Sequence, residues 1–590
     1  MKALIFNSGI GSRMGSLTKS CPKCLLKLAD GESVFARQLR ILAQSGITEI
    51  IVTTGKYAHE LMEEGRTQPT LNITFVYNPL WDSTNYIYSM YLAGKYLDDD
   101  ILMMHGDLVF DSALVREILS EKSPSLCLIN KHISQPPKDF KGRVENDYLK
   151  EVSIHIFDDN CYALQPLYKL SKECVQSWLA EVRMFVESGI TNVYAENALN
   201  KIADKLDIKV MSYENHYINE IDTPEDYCRV SREIWMADSG TYFSINSLEM
   251  LVKKHKAQRP FAIMGRHIAD SAVEKLLDKI QVKVGRYFGV MENPSEESVA
   301  AAQRAFEEFE GDLLISIGGG SAIDTAKAVK YKLLDSQGYN NPAHIAVPTT
   351  AGSGSEATHF AVVYRDGVKC SVTDATLLPE NVILDSALLY SLSEQQQKVS
   401  LLDALCHGIE SLISRNSTAE SREYAIYSIK MILEKYKSYV SGNKTVYKDI
   451  FAASNYAGRA INISKTTVGH AMSYVLTSDY GISHGQAVAL CLISVLRYAE
   501  KQYRRKEELN SVCTALGCKE GQSAADRLLE VYRNMHLQNP FDLSDAIPEI
   551  LAQKVNAERL ANSVVIFDEK DLGEIYADVI ALAYTLKNEV

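Results

Sequence analysis

Twice in this chain an apolar, strand-like run ends in a glycine-rich turn, and no other feature constrains the fold as strongly. The first is Ala3 to Phe6 followed by Asn7-Ser8-Gly9-Ile10-Gly11-Ser12-Arg13-Met14-Gly15; the second is Leu313 to Ile317 followed by Gly318-Gly319-Gly320-Ser321. Glycines at such a turn let backbone N–H groups approach a phosphate closely, and the second turn opens a helix whose N-terminus suits a pyrophosphate. The 590 residues exceed what one hydrophobic core organises, so several domains are expected.

Up to about Asp226 short strands alternate with helical periods: Ala3 to Phe6, Ser33 to Ala43, Glu49 to Thr53, Ile101 to His105. That alternation predicts a mostly parallel sheet with helices on both faces. A second strand, glycine loop and helix begin at Leu313, and from about Ser391 helix follows helix. The fold class is α/β with three expected domains: a Rossmann-like sheet over 1–238, a second α/β nucleotide-binding domain over 241–390, and an all-helical domain over 391–590. The polar stretch Ala237 to Thr241 is the expected linker.

Composition excludes several classes. Apolar residues make up 46% and charged residues 23%, as in soluble globular proteins, and the longest apolar run, Ala487 to Leu496, is too short for a membrane span. Met1 to Phe6 lacks the basic flank and cleavage site of a secretion signal, so a cytoplasmic location is expected. The eleven cysteines are scattered, several in apolar stretches (Cys127, Cys406, Cys491), which suits buried hydrophobes rather than disulfides. Cys21 and Cys24 have no second pair at zinc-ligand spacing. A net charge of −13 without a basic stripe argues against nucleic acid as a partner.

The first turn has the spacing G-x-G-x-R and lacks the third glycine of a dinucleotide fingerprint. It continues through Leu17-Thr18 to Cys21-Pro22-Lys23, and the whole resembles the G-x-G-x-R-(x)n-P-K signature of the nucleoside-triphosphate transferase family. The likeness runs through the first 230 residues and is greatest to the small cytidylyltransferases acting on phosphocholine, aminoethylphosphonate and related head groups. Asn85 to Tyr91, Tyr194-Ala195-Glu196-Asn197, His105-Gly106-Asp107 and Asn219-Glu220-Ile221-Asp222 add to it. Nucleotidyl transfer from CTP needs Mg²⁺ on hard oxygen ligands. The resemblance implies Asp107 and Asp222 as ligands with Glu220 assisting, Arg13 and Lys23 stabilising the leaving pyrophosphate, and Ser8, Gly9, Gly11, Asn85 and Glu196 around the nucleotide. Asn7-Ser8 and His105 depart from the family pattern. An acid at a strand end also serves as a cap, and Asp222-Thr223-Pro224-Glu225 suits a helix start.

After the second turn come Asp324 and the loop Thr349-Thr350-Ala351-Gly352-Ser353-Gly354-Ser355-Glu356. Together they resemble the iron-containing (group III) alcohol dehydrogenase family over roughly residues 241 to 590. Asp403 and His407 stand at i and i+4 on one helix face, and His470 and His484 complete a carboxylate-and-three-imidazole set suited to Fe²⁺ or Zn²⁺. The resemblance implies a nicotinamide cofactor on Gly318, Gly319, Gly320, Ser321, Asp324, Thr349, Thr350, Ser353 and Lys369. Gly265-Arg266 ends the strand Phe261 to Ile263, where an aspartate in NAD-preferring relatives would repel a 2′-phosphate, so NADPH is expected over NADH. Tyr474 replaces a histidine common in the family. His470 to Tyr474 with Leu476-Thr477-Ser478 resembles the phosphonoacetaldehyde reductase branch, and Arg459 and Lys465 are cations available to a phosphonate. Joined, the two resemblances imply a two-activity enzyme, expected as a homo-oligomer (dimer), that handles small phosphonates and CTP. An acceptor of the phosphocholine or alditol-phosphate type, caged by Trp81, Tyr86, Tyr88 and Tyr91, is the alternative.

Overall fold

The computed structural model describes residues 1–590 except 10, 20, 29–30, 132, 134, 335–340, 366–367, 503–505, 539–541 and 589–590, and leaves the side chains of 12, 16, 368, 369 and 506 undescribed. The chain divides into two compact units, Met1–Tyr242 and Phe243–Val590.

In the first unit Lys2–Asn7 forms β1, with Ala3, Leu4 and Ile5 fully buried, the pattern of a strand covered on both faces. It lies between the parallel strands β2 (Glu49–Thr54) and β4 (Ile101–His105). The remaining sheet strands are β3 (Asn72–Tyr77), β6 (Leu126–Asn130), β7 (Lys141–Glu145), β8 (Tyr148–Ser153), β9 (Cys161–Leu170) and β10 (Lys209–Ser212), in the order β3-β2-β1-β4-β9-β6-β10-β8-β7. The sheet is mixed rather than mostly parallel: β9 runs antiparallel to β4 and β6, and β7 to β8 and β9. The cause is local. Asn146 and Asp147 adopt φ of 49° and 64°, the left-handed pair of a two-residue hairpin turn, which can join only antiparallel neighbours.

Two apolar clusters sandwich the sheet, one holding Leu4, Met103 and Trp178, the other Ile5, Phe35 and Leu102. Ser33 caps the helix Val34–Gln44 by accepting from Ala36 N, and that helix buries Phe35, Leu39, Ile41 and Leu42. Outside the main sheet β5 (Leu108–Phe110) and β11 (Ile218–Glu220) pair antiparallel, Leu108 opposite Glu220. This short ladder brings together acids more than a hundred positions apart in sequence.

In the second unit five parallel strands stand in the spatial order Asn381–Ile383, Ala343–Pro348, Leu313–Gly318, Pro260–Gly265, Gly285–Val290. Helix Gly320–Leu334 follows the glycine turn, and a separate hairpin pairs Phe360–Arg365 with Val368–Thr373. From Glu394 the chain is helical, beginning with Glu394–Leu412, Ala419–Val440 and Tyr447–Ser464 and ending with Glu569–Asn588. From Phe243 onward the α/β and the helical segments close into one unit. A Cβ at Gly354 would lie 2.5 Å from the Gly458 Cα, so loop and helix meet backbone to backbone, as only glycines allow. No described helix is long and apolar enough to cross a membrane.

His216 ties the end of the first unit to its middle. Its Nδ1 lies 3.0 Å from Asp111 Oδ2 and its Nε2 2.7 Å from Glu117 Oε2. Burial lowers the imidazole's pKa, but the two carboxylates overcome this and raise it to about 9. A folded value above the unfolded one of about 6.5 means the contribution is complete below pH ~6.5 and lost as pH rises through about 9. We expect His216→Leu to cost about 2 kcal/mol at pH 6 and almost nothing above pH ~10. Urea unfolding at several pH values checks this, since the three tryptophans, Trp81, Trp178 and Trp235, all report on this unit.

Candidate active sites

In the first unit the loop after β1 forms one wall of a cleft of about 400 Å³, lined by Ser8, Gly9, Gly11, Arg13, Lys23, Asn85, Asp107 and Asp222 among the expected residues. Gly11 has φ +69°, and a Cβ there would sit 2.5 Å from Lys23 Cγ; glycine therefore both makes the turn and lets the lysine lie against it. Ser8 contributes backbone to the wall, because its hydroxyl is buried between Thr53 Oγ1 at 2.9 Å and Ser89 Oγ at 2.8 Å. Asn85 caps the helix Tyr86–Ala93 by accepting from Tyr86 N at 2.8 Å.

The ladder sets the acids. Asp107 precedes β5, Asp222 follows β11, and Ile221 N donates to Asp107 O at 3.1 Å. Lys23 Nζ reaches both, donating to Asp107 Oδ2 at 2.5 Å and Asp222 Oδ1 at 3.0 Å, while Arg13 Nη2 donates to the same Asp222 oxygen at 2.9 Å. Burial would raise the Asp107 carboxyl, but the Lys23 ammonium holds it below the usual range. Burial and the charge of Asp107 push Glu220 up, against the pull of His105, whose Nδ1 stands 3.5 Å away.

Sequence reading missed Asp139. It lies in the irregular stretch before β7, where no periodicity marks it, yet its carboxylate oxygen, one of Glu220 and one of Asp222 all fall within 4.8 Å of one another. These are hard oxygen donors beside an ammonium that pairs with only one of them, Asp222, so a divalent cation such as Mg²⁺ suits them. Glu196, expected at the nucleotide, is instead buried behind the cleft wall. It accepts from Tyr168 Oη at 3.0 Å and from the hydroxyl of Tyr86, whose ring lines the cleft, and burial raises its pKa to about 8. Through Tyr86, whose ring lines the cleft, this buried carboxyl holds the wall in place.

In the second unit helix Glu394–Leu412 presents Asp403, His407 and Glu410 from its buried side. Asp403 Oδ1 lies 3.4 Å from His470 Nε2, 3.8 Å from His407 Nε2 and 3.9 Å from His484 Nε2. The His407 and His470 rings stack at 4.6 Å, and His484 stands edge-on to His470 at 5.4 Å. Burial works against the charged Asp403, and the surrounding imidazoles hold its pKa far below the usual range. Among the described residues neither Asp403 Oδ1 nor His470 Nε2 makes a hydrogen bond, although both atoms are buried. Buried polar atoms aimed at one point without partners fit a bound transition ion.

Glu410 supports the cluster. Fully buried, it accepts from Thr467 N at 3.2 Å, Thr467 Oγ1 at 2.7 Å and His470 N at 3.2 Å, and pairs with His470 Nδ1. That contact turns Nε2 towards Asp403, the outer-shell arrangement that fixes a ligating histidine. The residue was missed in sequence although the heptad step Asp403, His407, Glu410 signals it. Tyr474 stacks on the His484 ring at 6.2 Å.

The dinucleotide turn reaches this centre through one loop. Thr349 N donates to Gly318 O at 2.9 Å; a Cβ at Gly319 would lie 3.4 Å from Thr350, and one at Gly320 2.7 Å from Ser353 Oγ. At its other end Gly352 lies against Ser400 of the Asp403 helix. Ser321 is the second residue of the helix Gly320–Leu334. Asp324 turns to the 360–373 hairpin, accepting from Val362 N at 3.1 Å. Gly265 is buried and Arg266 exposed at the end of the strand Pro260–Gly265. The side chain of Lys369 lies outside the described residues. Arg459 is spent on Asn455 Oδ1 at 2.9 Å, whose amide in turn holds Glu356 at 3.0 Å.

A carboxylate-and-three-histidine cluster beside a dinucleotide turn defines a metal-dependent dehydrogenase, and a glycine loop facing acids and a lysine defines a nucleotidyltransferase. Comparison with known proteins gives the same division. The iron-containing alcohol dehydrogenase family matches residues 241–386, its C-terminal part 398–577, and the MobA-like NTP transferase domain residues 3–183. The chain is 32% identical over 225 residues to the phosphonoacetaldehyde reductase of Streptomyces viridochromogenes, covering 34% of this chain and 57% of that protein. It is 25% identical over 357 residues to the NADPH-dependent butanol dehydrogenase of Clostridium saccharobutylicum, covering 56% and 90%. Among solved structures, the iron-containing alcohol dehydrogenase of Thermotoga maritima superposes with a TM-score of 0.52 at 27% identity, covering 58% of this chain and 98% of that one. The chain therefore belongs to the iron-containing alcohol dehydrogenase family in its C-terminal unit and carries an N-terminal NTP transferase domain. It is an enzyme of two kinds, and the dehydrogenase family implies NAD(P)H and a divalent metal.

Removing the support of His470 should weaken metal binding without unfolding the unit. We expect Glu410→Gln to lower metal affinity about 10- to 100-fold, read as metal content after dialysis against graded chelator, with circular dichroism unchanged.

Proposed function

We propose that the second unit reduces phosphonoacetaldehyde to 2-hydroxyethylphosphonate with NADPH, and that the first unit joins this product to CTP, giving CMP-hydroxyethylphosphonate and pyrophosphate. The observation that carries the reading is the coexistence in one chain of an Asp403-His407-His470-His484 centre in a region similar to a phosphonoacetaldehyde reductase and an acid-lined cleft of transferase type. One enzyme then makes what the other consumes.

For the reduction, Asp403 and the three histidines would hold Fe²⁺ or Zn²⁺, which when bound polarises the aldehyde oxygen. The glycine turn and loop 349–356 align the nicotinamide for hydride transfer to the carbonyl carbon. Carbonyl becomes primary alcohol with one hydride and one proton. Exposed Arg266 beside Gly265 suits a 2′-phosphate and supports NADPH.

For the transfer, Asp107, Glu220, Asp222 and Asp139 would hold Mg²⁺, which when bound neutralises charge on the triphosphate. The phosphonate oxygen attacks the α-phosphorus in line, the bond to the β-phosphate oxygen breaks, and pyrophosphate leaves. Already ionised, that oxygen needs no strong general base, so the work of the chain is positioning. Backbone amides at Gly9 and Gly11 face the phosphates, and Lys23 and Arg13, once released from the carboxylates by the cation, stabilise the leaving group.

Trp81, Tyr86 and Tyr194 line the cleft, which favours as a second reading a trimethylammonium acceptor such as phosphocholine held by cation–π contacts. Tyr88 and Tyr91 instead stack on each other and do not line it.

Incubation with phosphonoacetaldehyde, NADPH, CTP and Mg²⁺, followed by phosphorus NMR, should show a mixed phosphonate–phosphate anhydride; an anhydride formed only from phosphocholine would overturn the acceptor assignment. Asp107→Asn should abolish pyrophosphate release by about 10³-fold or more while aldehyde reduction in the same preparation persists. Arg266→Ala should lower kcat/KM for NADPH about 10- to 100-fold and leave that for NADH nearly unchanged, measured by NAD(P)H absorbance.

A further inference from the structure

Beyond the metal centre, the second unit contains a cationic cluster that no part of the reaction above uses. Lys465 closes the helix Tyr447–Ser464, five positions before His470, with φ +63°. A left-handed conformation is costly for a residue other than glycine and persists only where its surroundings impose it. Its Nζ stands 3.3 Å from His359 Nε2 and 4.9 Å from the centre of the Phe360 ring. The guanidinium of Arg559 lies 5.4 Å from the same ring. Arg559 is only 7% exposed, and its side-chain hydrogen bond goes to a neutral hydroxyl, Ser371 Oγ, at 2.9 Å.

Among the described residues neither Lys465 nor Arg559 forms an ion pair with a carboxylate. Glu558 attracts Lys465 from beyond ion-pair range, and that attraction is weaker than the repulsion from Arg559. Two cations and a histidine gathered on one ring without a counter-ion repel one another, and an anion joining them would relieve that repulsion, most of all at buried Arg559. The cluster is also anchored to the metal centre. Two residues on from Lys465, Thr467 gives its amide and hydroxyl to Glu410, which orients His470. Arg459, the other cation near in sequence, is already engaged by Asn455.

We propose that Lys465, Arg559 and His359 form the subsite that binds the acid group of a short anionic aldehyde while its carbonyl faces the Asp403 cluster. The ligand class is a tetrahedral oxyanion, phosphonate or sulfonate, on a short carbon chain. This rests on the reading that the second unit reduces aldehydes, and it assigns the specificity of that site to charge rather than to chain length.

The test compares kcat/KM of the full-length, metal-loaded enzyme for phosphonoacetaldehyde, sulfoacetaldehyde and uncharged butanal. In Lys465→Met and Arg559→Met the ratio of kcat/KM for either anionic aldehyde to that for butanal should fall about 100-fold, mainly through KM, and Lys465→Arg should recover most of it. Whichever acid is the better substrate of the unaltered enzyme identifies the oxyanion. In a parallel measurement, methylphosphonate should inhibit butanal reduction by the unaltered enzyme competitively and should inhibit Lys465→Met about 100-fold less well. Equal losses for charged and uncharged aldehydes, or methylphosphonate inhibition indifferent to Lys465, would sink the subsite. If the unaltered enzyme prefers butanal to both acids yet methylphosphonate inhibition depends on Lys465, the subsite stands and the phosphonoacetaldehyde assignment fails.

Discussion

Negative charge taken out of water must be answered by positive charge close by, and both active sites of this chain are organised around that requirement. In the transferase, Lys23 stands between Asp107 and Asp222 and answers both at once. In the dehydrogenase, Asp403 has no lysine or arginine within ion-pair distance among the described residues and is faced by three imidazoles instead. The difference is chemical. An ammonium can step aside from hard oxygen donors when magnesium and a triphosphate arrive, whereas imidazoles lose their usefulness as ligands when protonated and so call for a resident ion.

Each cluster is held by a different kind of framework. The transferase acids hang from a two-stranded ladder whose register, Leu108 opposite Glu220, also sets the positions of the flanking Asp107 and Asp222. Ladder hydrogen bonds fix backbone and leave side chains free to reorient, which suits the proposed exchange of a lysine for a cation. The Asp403 and histidine side chains of the dehydrogenase project from helices, and Glu410 holds His470 through its Nδ1. A site on packed helices with a supporting carboxylate loses little freedom on binding its metal.

Glycine does parallel work in both units. Gly11 admits Lys23, Gly320 admits Ser353, and Gly354 meets Gly458, each where a Cβ would clash. These close approaches bring a phosphate-binding turn within reach of a distant functional group. In the second unit they make the loop 349–356 a single strap from the dinucleotide turn to the Asp403 helix. That is why the sheet and the helices there form one unit.

The glycine turns, the alternation of β1, the helix Val34–Gln44 and β2, and the helical run after Glu394 were legible in the sequence, because periodicity and spacing along one element are local properties, whereas Asp403, His407, His470 and His484, which the fold brings together, were picked out by family resemblance. Glu410, one helical turn beyond His407, was missed, since a heptad position shows a face and not what that face meets. Other features were decided only by the tertiary structure. The antiparallel course of β9, the meeting of Asp139 with Glu220, the retreat of Glu196 behind Tyr86, and the gathering of Lys465 with Arg559 all depend on segments far apart in the chain. A sequence states what each segment prefers to be; which distant segments meet is settled by the packing and charge compensation of the whole fold.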